Sequence, residues 1–381
     1  MDGVSLEMEK WKRVLSDMGF DVRVAAGNES PSTDILLPFL SIDSKEDDVE
    51  KIKRELERVL KDVDIIVVEN IWSLALRIPV GLALEEIAKS SSKLFLGHHH
   101  DFWWERGRDG EILRKHFPPD LRNARHVVIN SIAKEELKKR RGIESTVIPN
   151  VIDPSVFDGI KDLRGKIGVP KGSIMALQAT RVVRRKAIEI SIELVARLQE
   201  ILKDRTGERL YRGERFDGNV FLAIGGMVED EGYMKNLERL AQERGVNLVD
   251  VYDLVQSGEA RFWDVYSVGD FVTYPSVLEG WGNQLLEAFA AGKPVVLFEY
   301  EVFRRDIKPL GFDYVSLGSA FEISKGLYRI DGKNLENAAK EISTVLFDSD
   351  LYRKIVKKNR EIVERELSLD ALRRMLEEVI G

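Results

Sequence analysis

No cysteine occurs in the 381 residues, which excludes disulfides and zinc–thiolate sites and makes a cytoplasmic location the expectation. No apolar run reaches the length of a membrane span. The nearest, Ile71 to Ala88, is broken by Arg77, Glu85 and Glu86. No secretory pattern opens the sequence, whose first residues read as a charged amphipathic helix. No excess of basic charge exists either: 58 Lys and Arg stand against 65 Asp and Glu, a net charge of -7, which counts against nucleic acid as a partner. Repeats and low-complexity segments are absent. What remains is a balance of 44% hydrophobic and 32% charged residues, enough to build two ordinary soluble domains. The Lys- and Glu-rich, cysteine-free composition fits a thermophile.

Short apolar runs alternate with helical periods along nearly the whole chain. Strands are expected at Asp21–Ala25, Ile65–Val68, Leu94–Leu96, His126–Ile129 and Thr146–Ile148. Helices are expected at Ser5–Met18, Asp47–Leu60, Ile71–Lys89 and Ile132–Arg140. The period pauses from Asn150 to Asp158, where a domain junction is placed. It then resumes with strands at Ile174–Leu177, Val220–Ile224, Leu248–Tyr252, Phe271–Tyr274 and Val295–Phe298. The intervening helices are Ala187–Leu202, Met234–Arg244 and Asn283–Ala291, with three more after Leu335. Asp204 to Asp217 reads as a surface insertion. The pattern implies two doubly wound α/β domains with parallel sheets, residues 1–154 and 155–365, with 366–381 returning to the first. Ligands of such sheets bind at the C-terminal ends of the strands.

Three segments carry the chemistry. Ser276-Val-Leu-Glu279-Gly280-Trp281-Gly282-Asn283-Gln-Leu-Leu-Glu287, leaving through Gly292-Lys293-Pro294, reads as strand, glycine loop, helix and strand. Gly280 and Gly282 permit close backbone approach, and the helix starting near Asn283 offers free amides and a positive dipole end to a phosphate. Glu287 lies on a helix apolar nearly all round, where a carboxylate must be paired or used. The second segment, Arg181-Val-Val-Arg184-Arg185-Lys186, follows a strand and concentrates cations that suit a diphosphate. The third, Gly97-His98-His99-His100-Asp101-Phe102-Trp103-Trp104-Glu105-Arg106, puts histidines, aromatics and an arginine at a strand end, a surface that suits a sugar. Consecutive histidines of an extended chain cannot all face one metal, since alternate residues point oppositely.

On these motifs the chain resembles the large group 1 family of retaining GT-B glycosyltransferases with paired glutamates. That family includes sucrose-phosphate synthases and bacterial mannosyltransferases, and the Trp-Trp-Glu-Arg continuation is similar to members making glucosylglycerate-type solutes. The resemblance implies two Rossmann-like domains facing a cleft and metal-independent hexose transfer, with no cofactor, from a nucleoside-diphosphate sugar to a small polar or sugar acceptor. It assigns Glu279 to the donor sugar, Glu287 to the ribose, Arg181 and Lys186 to the diphosphate, and His100, of the pair His100-Asp101, to the sugar. Gly225-Gly226 matches a loop near the nucleotide, and Val147 to Asp153 matches the interdomain signature. His98, His99, Asp101, Trp103, Trp104, Arg106 and Gly3 are expected on the acceptor side. Departures are Ala187, where a glycine usually follows the lysine, Val151, where a glycine usually follows the asparagine, and Glu299 to Asp306, where a Gly-Gly and an acidic residue are usual.

GDP-mannose is the first expectation for the donor, because Asp250 or Asp253 lies where a guanine donor group would need an acceptor; UDP-glucose and ADP-glucose stay open. Alternatives are a membrane-surface enzyme with a lipid-linked acceptor, docking through Lys138-Lys139-Arg140-Arg141, and a non-catalytic sugar-binding module. A metal-dependent GT-A enzyme is disfavoured because Asp62-Val63-Asp64 precedes its strand. A dehydrogenase is disfavoured because no Gly-x-Gly-x-x-Gly follows any strand. Asp2-Gly3-Val4 resembles the glycine loop that follows a first strand. A strand is therefore expected upstream of it, and a vacant strand position in the first sheet.

Overall fold

The computed structural model describes residues 3–381, so Asp2 of the expected glycine loop lies outside the described residues. The chain forms two compact units. One runs to Val151 and takes up Leu369–Gly381; the other is Ile152–Ser368.

The first unit opens with helix α1, Gly3–Asp17. Gly3 and Val4 are thus helical and not in a loop, which corrects the expectation. Two short strands, β1 (Ala25–Ala26) and β2 (Ile35–Leu36), pair in parallel and stand apart from the main sheet. Helix α2 (Val49–Val59) follows, started by Asp48, whose side chain accepts the Lys51 amide at 3.0 Å. The main sheet is β3 (Ile65–Glu69), β4 (Leu94–His99), β5 (Ala124–Val128) and β6 (Thr146–Val147), parallel and in that order, so β3 is an edge strand. Strand β4 runs on through two of the histidines, beyond its expected end at Leu96.

The helix expected from Ile71 to Lys89 is two helices, α3 (Ile71–Leu74) and α4 (Ile78–Ser90). Ala75 takes a left-handed φ of 49°, and Pro79 in the first turn of α4 cannot donate an amide to a continuous helix. Helices α5 (Glu111–His116) and α6 (Ser131–Arg141) complete the unit with the chain's last helix, Leu369–Ile380. Helix α1 and that last helix pack Trp11, Val14, Leu372 and Leu376 on one face of the sheet, against Leu96 and Val127. Helices α2 and α4 cover the other face through Ile52, Leu56, Leu84 and Ile87.

The second unit is one parallel sheet of β7 (Ile174–Gln178), β8 (Val220–Ile224), β9 (Asn247–Asp250), β10 (Phe271–Tyr274), β11 (Val295–Leu297) and β12 (Val315–Ser316). Its strand order is β12-β11-β10-β7-β8-β9. The winding therefore reverses between β7 and β10, and the C-terminal ends of these two strands mark the switch point. A hairpin, β13 (Glu322–Ser324) and β14 (Leu327–Arg329), stands apart.

Helices α7 (Ile188–Leu202), α8 (Glu231–Arg244), α9 (Tyr252–Gln256), α10 (Asn283–Ala290), α11 (Gly332–Phe347) and α12 (Ser349–Glu366) fill the connections. The strand expected at Leu248–Tyr252 yields early to α9, because the Asp250 carboxylate accepts the Tyr252 amide at 2.8 Å and turns the chain. Asp204 to Asp217 is not a mere surface insertion: Leu210 and Phe216 are buried, and Tyr211 stacks on Tyr352 at 3.7 Å.

Candidate active site

The loops after β7 and β10 hold the second and first sequence motifs, so the topology brings both to the switch point. Arg184–Lys186 forms a single tight turn before α7, and the Val277 amide donates to the Arg185 carbonyl at 3.0 Å, tying one loop to the other. At that junction the Glu279 side chain is 7% exposed. Its carboxylate accepts from Lys186, from Arg185 at 2.7 Å and from the Tyr274 hydroxyl at 3.0 Å. The Lys186 ammonium also stands 5.5 Å from the Tyr274 ring centroid.

Burial pushes the Glu279 carboxyl up, but Lys186 and then Arg185 more than offset this and hold it below its ordinary range. Burial lowers Lys186 despite the attraction of Glu279. Tyr274, raised by burial and then by Glu279, stays protonated. Arg181 is not part of this knot; it is half-exposed and pairs with Glu229 at 2.6 Å. Ala187 occupies the position where the family usually has glycine, and its φ of 48° shows why: the turn between lysine and helix requires a left-handed residue.

Helix α10 starts from Gly282, whose φ is +116°, and a Cβ there would fall 2.3 Å from the Tyr300 hydroxyl. That hydroxyl donates to the Trp281 carbonyl at 2.6 Å. Tyr300, in the segment that departs from the family pattern, therefore shapes the loop. Glu287 is 3% exposed, as the apolar helix predicts, and the Tyr266 hydroxyl donates to it at 2.7 Å. Burial raises Tyr266 well above its usual range and keeps it a donor. In the same loop Ser276 Oγ and the Trp281 indole nitrogen are buried with no hydrogen-bond partner, groups that a ligand would satisfy.

Gly225 and Gly226 follow β8, and a Cβ on Gly226 would lie 2.2 Å from the Thr180 carbonyl oxygen. Gly226 is therefore needed for the close passage of the Thr180–Arg181 loop, while Gly225 faces the Leu177 and Val265 side chains. Asp250 ends β9, where its Oδ1 is engaged by the Tyr252 and Asp253 amides. Lys293 of the exit motif turns inward and donates to the Gly269 carbonyl at 2.8 Å.

In the first unit the histidines divide as the two-residue period of a strand requires. His98 Nδ1 lies 2.9 Å from Glu69 Oε1, and His100 Nε2 lies 3.6 Å from Glu69 Oε2. His99 faces the other way, 2.8 Å from His126, whose Nε2 donates to the Pro119 carbonyl at 3.0 Å. Burial pulls His126 down to about 4 and His99 well below the usual imidazole value, so both are neutral.

Among the described residues, Glu69, His98 and His100 are the group whose ligating atoms all lie within 4.8 Å. Asp101 pairs with Arg106 at 2.8 Å. Trp103 donates to the Phe117 carbonyl at 3.1 Å, and Trp104 stacks on Phe102 at 4.3 Å, so both indoles serve the packing of this unit. Lys138 and Arg140 of the basic run are paired with Glu144 and Glu136. No described helix is long and apolar enough to cross a membrane.

Sequence reasoning missed Glu69, Tyr266, Tyr274 and Tyr300, and named Arg185 only within its motif. A carboxylate closing the apolar run Ile65-Ile-Val-Val was the available signal for Glu69. Tyr266 and Tyr300 gave none, because their partners lie 21 and 19 residues away; Tyr274 stands only five residues before Glu279 but inside an apolar strand, where it reads as core.

Residues 159–362 match the model of the group 1 glycosyl transferases. The mannosylglucosylglycerate synthase of Thermotoga maritima is 46% identical over 413 aligned residues, covering 99% of this chain and 96% of that protein. That of Petrotoga mobilis is 37% identical, covering 96% of each. The solved sucrose-phosphate synthase of Thermosynechococcus elongatus superposes with a TM-score of 0.63 at 17% identity, covering 100% of this chain and 93% of that one.

Proposed function

Since the chain belongs to the group 1 glycosyl transferases and is a nucleotide-sugar-dependent enzyme of the GT-B type, we propose that it transfers mannose from GDP-mannose to a glucosylglycerate-type acceptor, with retention of configuration. The product named by its relatives in Thermotoga maritima and Petrotoga mobilis supports the acceptor and the sugar. The observation that carries the site is the convergence of Glu279, Lys186, Arg185 and Tyr274 at the switch point.

In this reading the diphosphate lies against Arg181, Lys186 and the amides at the start of α10, where fixed positive charge meets the negative charge that grows as the glycosidic bond breaks. Arg181 sits on a half-exposed side chain and swings from Glu229 to the phosphate. Lys186 is held by Glu279 at the sugar end, so the carboxylate that orients the sugar hydroxyls also aims the cation that stabilises the leaving group. Glu287, steadied by Tyr266, accepts from the ribose hydroxyls. A diphosphate oxygen takes the acceptor's proton as the new bond forms on the face from which the diphosphate departs, so no protein base is needed. No divalent cation enters this scheme.

The test is incubation of the protein with GDP-mannose and glucosylglycerate in the presence of EDTA, reading GDP release and the anomeric configuration of the product by NMR. An α-linked mannoside from the α-linked donor is expected. Transfer from UDP-glucose or ADP-glucose in preference, or strict dependence on a divalent ion, would count against the proposal.

A further inference from the structure

Strands β3 and β4 are in parallel register with Glu69 opposite His98, so the two side chains leave the sheet on the same face. His100, two residues further on, returns to that face, and the ring centroids of His98 and His100 are 4.4 Å apart. The Glu69 carboxylate thus stands between two imidazoles, all three largely withdrawn from solvent. One oxygen is bonded to His98. The other, and the His100 Nε2 that faces it at 3.6 Å, are buried with no hydrogen-bond partner.

The surroundings hold the cluster from every side. Trp11 of α1 stacks on His98 at 4.2 Å. Asn70, next to Glu69, donates its amide to the His98 carbonyl at 2.9 Å and accepts the His100 amide on its side chain at 2.8 Å. To do so Asn70 adopts a left-handed φ of 53°, a strained backbone of the kind retained where geometry matters. Burial alone would raise the Glu69 carboxyl, yet the attraction of His98 and the contacts of both rings pull it down to about 2.

We propose that Glu69 is a positioning residue of this enzyme: its carboxylate fixes the orientation and tautomer of His98 and His100, holding the proton of His100 on Nε2 and leaving Nδ1 to accept from a sugar hydroxyl. The inference rests on the reading of His100 as a residue that meets the sugar. An anionic partner behind a ring sets which nitrogen carries the proton and keeps the ring from turning, and small misplacements of such groups are expensive in rate.

The experiment uses the full chain and the variants Glu69→Gln, His100→Ala and the double variant. Glu69→Gln should lower kcat by about tenfold to a hundredfold with the donor KM within about twofold. The double variant should be no slower than His100→Ala alone, because a positioning residue has nothing left to position. Independently, histidine-selective nitrogen-15 spectra should show His98 protonated on Nδ1 and His100 on Nε2 in the wild type, with at least one pattern lost in Glu69→Gln, whose amide keeps a single acceptor oxygen. If that variant does not fold, the wild-type spectra still decide. Full activity of His100→Ala would sink the sugar-contact reading while leaving the spectra to judge Glu69. Unchanged histidine spectra in folded Glu69→Gln would overturn the proposal. So would additive losses in the double variant, or one equivalent of zinc bound by the wild type and not by Glu69→Gln.

Discussion

Acid should weaken this protein through the buried pair His99 and His126. His99 Nε2 lies 2.8 Å from His126 Nδ1 inside the first unit, and the remaining ring nitrogen of His99 is buried with no partner. A proton on either ring puts charge where water cannot follow. Burial holds His126 at about 4, against the weaker upward pull of the Pro119 carbonyl and Asp120. His99 is also lowered, by burial first and then by the neighbouring His126, His98 and His100.

A folded pKa below the unfolded one means the unfolded chain takes up the proton first. The stability this represents is complete above pH 6.5 and lost as the pH falls toward 4. For His126 alone a fall from 6.5 to about 4 corresponds to about 3 kcal/mol, of which about 2 kcal/mol has gone by pH 5. Urea unfolding of the first unit's transition at pH 7.5, 6.5, 5.5 and 5.0 measures it. His126→Gln, which keeps a donor toward Pro119, should start less stable at pH 7.5 and lose less on acidification. A wild-type stability flat from pH 7.5 to 5.0, or an equal slope in the variant, would refute the reasoning.

Three further outcomes are expected. Lys186→Met should reduce turnover by on the order of a hundredfold or more with no rescue by added metal. Its stability should fall only modestly, because Arg185 and Tyr274 still satisfy Glu279; wild-type turnover would remove Lys186 from the diphosphate. Glu287→Gln, measured by calorimetry, should weaken donor affinity by about tenfold to a hundredfold, the worth of a charged hydrogen bond of about 1.5–3 kcal/mol, while Tyr266→Phe, read the same way, should weaken it less. Gly282→Ala should destabilise the second unit by about 1–3 kcal/mol, because its Cβ meets Tyr300; a thermal melt unchanged from wild type would show that the loop has room to move.

The doubly wound pattern was legible because each strand is a short apolar run bounded by turn residues, and β7, β8, β10 and β11 fall within a residue or so of expectation. The misplacements have local causes. A helical hydrophobic period runs from Ile71 to Lys89, and it conceals the break that Pro79 and the left-handed Ala75 impose. Asp204 to Asp217 is polar in composition, so its anchors are invisible until Tyr211 is seen donating to Asp270 at 3.0 Å, 59 residues away.

The same limit explains which site residues the sequence could yield. Glu279, Lys186 and Glu287 stand out because a spaced motif or an apolar helix makes a charge conspicuous. What those charges do depends on partners that only the sheet order supplies. The apolar surroundings of Glu287 required either a partner or a use, and Tyr266, on another segment, provides the partner. The buried carboxylate is therefore satisfied without ligand, and its burial alone no longer argues for ribose binding. Its neighbours in the loop, Ser276 Oγ and the Trp281 nitrogen, are buried and unsatisfied in the protein itself and are the groups that call for a ligand. A site that leaves small neutral donors open while its carboxylates and Lys186 are paired among themselves is prepared to receive an ion without carrying a bare buried charge in its absence, since an unpaired charge is far costlier to bury than an unpaired hydroxyl or indole N–H.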